Sequence, residues 1–271
     1  MRKLLFVGVL VGLGCGGGGG NNNNNNTGTP GLKTFSYGTP QAPTAAQQST
    51  ANSAQTQMNN AVKASVNGQV ASAANLPSLT DSLAGSLPSL VAVPREPALP
   101  EGSLLLPAEQ NPALSTNCYT VTSSSITYSN CSISGSGYAE TLNGNLTVSG
   151  GTITWDLTVT WQYSANNLSE NGTYNWTGQV TVTASTIVGQ GRSSFSGHLV
   201  SGSTSYDYQY TAGFDVNLTY QTAPSYCITG GTLEIRRTLN SSTNATAIPV
   251  HDAGLKYTWT GCNAVTVSTG T

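Results

Sequence analysis

Ile153-Thr154-Trp155-Asp156-Leu157-Thr158-Val159-Thr160-Trp161-Gln162-Tyr163 alternates apolar and polar side chains without a break. Six apolar groups point one way, while Thr154, Asp156, Thr158, Thr160 and Gln162 point the other. A period of two over this length describes a strand with one buried and one wetted face, as antiparallel sheets have and parallel sheets do not. Phe214-Asp-Val216-Asn-Leu218-Thr-Tyr220 repeats the pattern, and shorter matches occur at Leu146/Val148, Val180/Val182, Leu233/Ile235 and Tyr257/Trp259. Residues 116–271 contain only Pro224 and Pro249, and no segment among them carries a helical period. The expected fold class is therefore all-β, an antiparallel meander of roughly nine to eleven strands over residues 116–271. Alternation leaves a barrel-like domain and a sandwich equally open.

A small residue followed by glycine recurs along this region, in Leu142-Asn143-Gly144, Trp176-Thr177-Gly178, Phe195-Ser196-Gly197, Ile228-Thr229-Gly230 and Trp259-Thr260-Gly261. The intervals are irregular, which excludes a fixed-length solenoid repeat, and the triplets read as turns leading into strands. Four cysteines lie here: Cys118, Cys131, Cys227 and Cys262. An even number in an exported domain predicts two disulfides, and four cysteines allow three connectivities. Proximity in the chain favours Cys118–Cys131 and Cys227–Cys262. A plain hairpin pairing Cys118 with Cys131 would put both on the Thr120/Thr122 face, away from Tyr119 and Val121. A bulge, or a disulfide on the outer face, is needed.

Towards the N-terminus the composition changes. Met1-Arg2-Lys3 and the apolar run Leu4 to Gly14 have the layout of a secretory signal over residues 1–14. The run is too short to span a hydrocarbon core, which needs about 20 residues. The Gly14-Cys15 junction that closes it resembles the lipobox of bacterial lipoproteins, with Gly12 where that family usually has Leu. The resemblance implies cleavage before Cys15, acylation of Cys15 and a lipid-anchored protein of the cell envelope. Gly16, rather than Asp, at the second mature position implies the outer membrane. Loss of Arg2 and Lys3 would leave seven basic against eleven acidic side chains, so the formal charge of −2 becomes −4.

Residues 15–43, with Gly16 to Gly20 and Asn21 to Asn26 as homopolymer runs, read as a flexible tether. Residues 44–92 carry a narrow helical stripe, Met58, Val62, Val66 and Val70 with Ala54, Ala61 and Ala73 beside it. Ser65 and Gly68 dilute that stripe, so the expectation is a marginal, exposed helix rather than a docking element. Residues 93–115, with Pro94, Pro97, Pro100, Pro107 and Pro112, read as a proline-rich neck whose Leu104-Leu105-Leu106 could pack on the domain edge.

Only 7% of the 271 residues are charged, so there is no basic excess for nucleic acid. His198 and His251 share no motif, the sequence shows no metal-ligand spacing or nucleophile signature, and no cofactor is expected. The eight Asn-x-Ser/Thr sequons between Asn130 and Asn244 are chance in a chain this rich in Asn and Thr. The carboxylates of the β region are Glu140, Asp156, Glu170, Asp207, Asp215, Glu234 and Asp252. Asp156 and Asp215 lie on polar strand faces, and Glu234 stands beside Arg236 and Arg237 as a surface ion-pair partner. Tyr206, Tyr208 and Tyr210 share one strand face, a candidate binding stripe if exposed and core if buried. The leading expectation is a non-enzymatic, lipid-anchored envelope protein. It would display its β domain for structural or adhesive contacts with an envelope protein or a glycan. A barrel carrying a small apolar ligand is the alternative, and an envelope-glycan hydrolase a minor one.

Overall fold

A computed structural model of the chain describes residues 32–77, 79, 117–135, 137–165, 168–243 and 252–270. The alternating segments form ten strands: β1 (Tyr119–Val121), β2 (Ser125–Gly135), β3 (Tyr138–Ser149), β4 (Thr152–Ala165), β5 (Leu168–Val182), β6 (Thr186–Ser201), β7 (Thr204–Gln221), β8 (Cys227–Ser242), β9 (Ala253–Gly261) and β10 (Ala264–Gly270). They pair in sequence order, every neighbour antiparallel, in one open meander whose edges are β1 and β10. The sandwich alternative is thereby excluded, and the sheet is barrel-like without closing.

Side-chain contacts give the curvature. Trp155 on β4 and Phe214 on β7 are three strands apart, about 14 Å in a flat sheet. Their ring centroids are only 6.4 Å apart. Tyr174 on β5 and Tyr210 on β7 share a hydroxyl–hydroxyl hydrogen bond of 2.9 Å. The inward faces of β4 and β7 thus converge.

Glycine makes this convergence possible. On β5 and β6, Gly172 pairs with Gly197 and Gly178 with Gly191. A methyl group on Gly178 would overlap the Trp155 ring, one on Gly191 would overlap Phe214, and one on Gly197 would come 2.7 Å from Phe195 and 2.9 Å from Tyr208. Each glycine is the seat of an aromatic ring from a neighbouring strand. The small-residue–glycine triplets were expected at turns. Gly144, Gly178, Gly197 and Gly230 instead lie inside strands, and Gly261 closes β9. Ring volume on the inner face decides the position of Gly178 and Gly197, whereas Gly144 is required by a φ of 118° against the Asp156 backbone.

The disulfides are Cys118–Cys131 and Cys227–Cys262. The register difficulty at the first is resolved by a bulge. Tyr119 pairs with Tyr128, the β2–β3 register slips between Tyr128 and Cys131, and Asn130 adopts a left-handed φ of 53°. The extra residue turns Cys131 inward, where it is fully buried. Asn143 Oδ1 accepts from the Asn130 backbone N–H at 2.7 Å and holds the bulge. In the chain-entropy account, closing loops of these lengths stabilises the fold by about 3 kcal/mol and about 4 kcal/mol respectively.

Residues 32–43 belong to the folded domain and not to a flexible tether. Leu32 seats over Gly213 on the outer face of β7, and Phe35 is buried against Gly254 and Gly270. Lys33 forms an ion pair with Asp252, and Tyr37 donates to Glu234 Oε1 at 2.7 Å. Bridges Tyr37–Gly270 and Gln41–Val267 then add a short rung to the β10 edge. The chain next passes to the inner face as helix α1 (Ala45–Asn67). Thr44 and Gln47 form a capping box at its start, and Gly68 ends it in the left-handed conformation.

Helix α1 is a core element, against the expectation of an exposed one. Ala51, Ala54, Met58, Ala61, Val62 and Ala64 join the same buried cluster as the inward residues of the sheet. The helix packs towards β3, β4 and β5. Its alanine-rich stripe is weakly hydrophobic because the rings of the sheet already fill the interior, so only a thin helix face fits beneath them. Val66, expected in the stripe, is exposed, whereas Val70 is buried in a 3-10 turn, Val70–Ala73. Among the described residues the folded unit therefore includes 32–77 as well as the strands after 116. Residues 80–92 and the neck 93–115 lie outside the described residues.

Gly178→Ala is expected to lower stability in chemical denaturation by about 1–3 kcal/mol, the usual range for overpacking. Measured in a Trp155→Ala background, that cost should shrink markedly, because the clash is with the Trp155 ring. Equal costs in both backgrounds would remove the ring-seat explanation.

Candidate functional site

At one end of the sheet the described residues next to the β2–β3 and β4–β5 turns line an open depression of about 440 Å³. Gly137, Ala139, Gln162, Tyr163, Ser164, Ser169, Glu170 and Asn171 line it. Register explains the grouping. Ala139 pairs with Gln162 and Gln162 with Asn171, which places one row on the outer face across β3, β4 and β5. Tyr163 pairs with Glu170, and Glu170 with Leu199, which forms the adjoining inward row. The depression straddles the sheet's end, so it draws on both faces. Gly137 fixes the first tip. Its φ of 74° is left-handed, and its carbonyl accepts from the Ser164 N–H at 2.6 Å.

Glu170 is the distinctive group. It is 5% exposed although its neighbours at the rim are wetted. Tyr208 on β7 donates its hydroxyl to Glu170 Oε1, reaching across β6 because the sheet is curled. Burial raises the carboxyl pKa above its usual range, and the Tyr208 hydrogen bond offsets that only in part. Beneath it lies an aromatic nest: Phe195 is 4.5 Å from Tyr174, 5.0 Å from Tyr210, 5.2 Å from Tyr208 and 5.7 Å from Trp161, between ring centroids. The depression thus has a polar mouth, one shielded carboxyl and an apolar floor.

Tyr208 and Tyr210 of the proposed tyrosine stripe are buried in this nest, so they present no exposed binding face. Tyr206 pairs with Leu199 at the rim end of the same strand. Cys15 and His251 lie outside the described residues. His198 and Asp207 pair across β6 and β7 at 2.7 Å on the exposed face, in the row that continues from Asn171. Asp156 and Asp215, the carboxylates singled out on polar faces, are not brought together. Asp156 pairs with Thr177, whereas Asp215 is held between Arg192, at 2.7 Å, and Arg236. Glu234 meets Arg236 at 3.2 Å and accepts from Tyr37, so this ion cluster secures the N-terminal strap on β8. Among the described residues no three His, Cys, Asp or Glu side chains converge as a metal site would require.

By residue type Glu170 is one of seven carboxylates in the β region, and its spacing is the signal that sets it apart. It is in phase with Tyr174 and Trp176 on the inward face, as Glu140 is with Leu142. A carboxylate on the apolar phase of a strand marks a buried acid. Comparison of the chain with protein-family models, with curated proteins and with solved structures finds no match.

Because the folded-state pKa of Glu170 is raised, its protonation favours the folded form. The stability this confers is complete below the unfolded value of 4.5 and is lost as pH rises through the folded pKa. Urea unfolding of the wild type and of Glu170→Gln should therefore diverge above pH 4.5, with the wild type losing stability relative to the variant. Parallel pH profiles would mean that the Glu170 carboxyl titrates as a solvated group.

Proposed function

We propose that this protein is a lipid-anchored, non-enzymatic component of the bacterial cell envelope that presents its curled sheet for binding. What carries this reading is the filled interior. The aromatic nest and the alanine face of α1 occupy the inner side of the sheet, and the rim depression is polar at its mouth. A carrier of an apolar ligand needs a hollow, apolar chamber of several hundred Å³. A glycan hydrolase needs two carboxylates flanking one bond, and Asp156 and Asp215 stand apart. Display requires neither.

The anchor follows from the signal-like segment and the Gly14-Cys15 junction. Disulfide pairing of Cys118–Cys131 and Cys227–Cys262 supports an oxidising compartment outside the cytoplasm. Sixteen residues separate Cys15 from Leu32, where the strap meets the outer face of β7. Taken as the tether that the Gly and Asn runs predict, a stretch of that length reaches about 20–24 Å. The domain would stand off the lipid surface by that distance, attached through its outer face, with the rim free to meet other envelope components.

Cys15→Ser expressed in a bacterial host is expected to move the protein from the membrane fraction to the soluble fraction, and metabolic labelling with a palmitate analogue should be lost with it. Retention of the variant in membranes would overturn the anchor.

A further inference from the structure

We infer that the rim depression between the β2–β3 and β4–β5 tips is a binding site for a neutral saccharide unit. This inference rests on the display reading and gives that reading a ligand class. The depression's volume of about 440 Å³ falls within the range of small-molecule sites, about 300–1,000 Å³. Its lining is matched to sugar chemistry. Gln162 and Asn171 sit on adjacent strands as a directly opposed pair, and each carboxamide offers donors and an acceptor. Ser164 and Ser169 are also opposed and add two hydroxyls that donate or accept. Sugar hydroxyls need this mixture, because each both donates and accepts.

Tyr163 supplies an aromatic body, half-buried beside Glu170, for the C–H face of a pyranose ring. Glu170 adds the directional group. The residue is buried, lines the depression, and has Tyr208 on one carboxyl oxygen. Among the described residues no other side chain bonds that carboxyl. Among the described residues this leaves the second oxygen for a ligand hydroxyl.

The electrical balance of the lining argues for an uncharged ligand. Apart from Glu170, no lining side chain is ionisable at neutral pH. A uronic or sialic acid would meet the Glu170 carboxyl with no cation to balance it. An amine ligand would have one carboxyl whose burial disfavours the charged form, against five neutral polar side chains without aromatic cage geometry. Neutral hydroxyls satisfy the amides, the serines and either protonation state of the acid. The Thr, Ser and Asn rows of the outer face continue from the depression, through Thr160, Thr173 and Ser196, and offer a further wetted track for a longer chain.

The full-length protein, purified in detergent micelles, can be applied to a printed array of neutral hexose and N-acetylhexosamine oligosaccharides with uronic and sialylated oligosaccharides beside them. Binding to members of the neutral set is expected, confirmed by titration calorimetry with the best of them. The double variant Gln162→Ala/Asn171→Ala should weaken that binding about tenfold or more, since two ligand hydrogen bonds are removed. Thermal unfolding of this variant should match the wild type, because both side chains are on the wetted face. Tyr163→Phe should retain binding, whereas Tyr163→Ala should lose it. Absence of binding to every neutral sugar at concentrations on the order of 10 mM would overturn the site. So would a preference for acidic sugars, or full affinity in the folded double variant. Membrane release by Cys15→Ser reports on the anchor separately, so the saccharide site and the display reading can fail independently.

Discussion

Two pairs of facing glycines on β5 and β6 are the constraint on which the architecture depends. With Gly172 opposite Gly197 and Gly178 opposite Gly191, the inward surface of this seam lacks Cβ atoms at four positions that flank the Tyr174/Phe195 and Trp176/Ser193 pairs. Rings from β4 and β7 move into the vacated volume, and the sheet bends until Trp155 and Phe214 are 6.4 Å apart. Backbone hydrogen bonding alone would leave a ten-stranded meander free to twist or curl in several ways. Burial of large rings selects one of them, at about 25 cal/mol for each Å² of apolar surface removed from water. Glycine also weakens a strand through its chain entropy, by about 0.5–1 kcal/mol against alanine. Ring packing therefore has to exceed that cost at every seat, and a bare glycine without its ring would only loosen the strand.

The remaining elements follow from how full the curl becomes. Because rings occupy the inner face, the helix that completes the core presents mostly alanines, with one methionine and one valine, instead of leucines. The strap before it solves a second problem. A sheet that does not close has edges, and an exposed edge is a template for association. Residues 37–41 add a rung to β10, while Lys33, Phe35 and Tyr37 fasten the same segment to the outer face. One stretch of chain thereby covers an edge and delivers α1 to the inner side.

The strands, their antiparallel order and both disulfide pairings were legible because each depends on local pattern. A period of two names the buried face residue by residue, and chain proximity names the cysteine partners. The register conflict at Cys118–Cys131 was legible, with a bulge and an outer-face disulfide as its two solutions, and the buried Cys131 shows that the bulge is the one adopted. Curvature was not legible, and neither was anything that follows from it. Gly178 and Gly197 resemble turn residues until the rings of Trp155 and Tyr208 are seen to occupy their places. The stripe of α1 resembles a solvated helix until the interior it enters is known to be crowded. The tyrosines 208 and 210 have the same spacing whether exposed or buried. In each case the deciding quantity is the volume left by residues far away in sequence, which periodicity does not contain.

Glu170 shows how curvature also produces chemistry. On a flat sheet, residues two strands apart are separated by about 9.6 Å and their side chains stand parallel, which would keep the Tyr208 hydroxyl away from this carboxyl. The bend at the β5–β6 seam brings them together and shields the acid from water in the same movement. Tyr163, Glu170 and Leu199 form the inward row next to the hairpin tips, beyond the ring seat at Gly172 and Gly197. On one side of that row the aromatic nest excludes solvent, and on the other the amides and hydroxyls of the outer face are wetted. A carboxyl placed at this boundary is buried enough to resist ionisation and open enough to meet a ligand. The low charge of the surface adds to the effect, since few nearby ions compete for the same contact. The feature that shapes the fold, the paired glycines, is thus also what sets the environment of the acid at its rim.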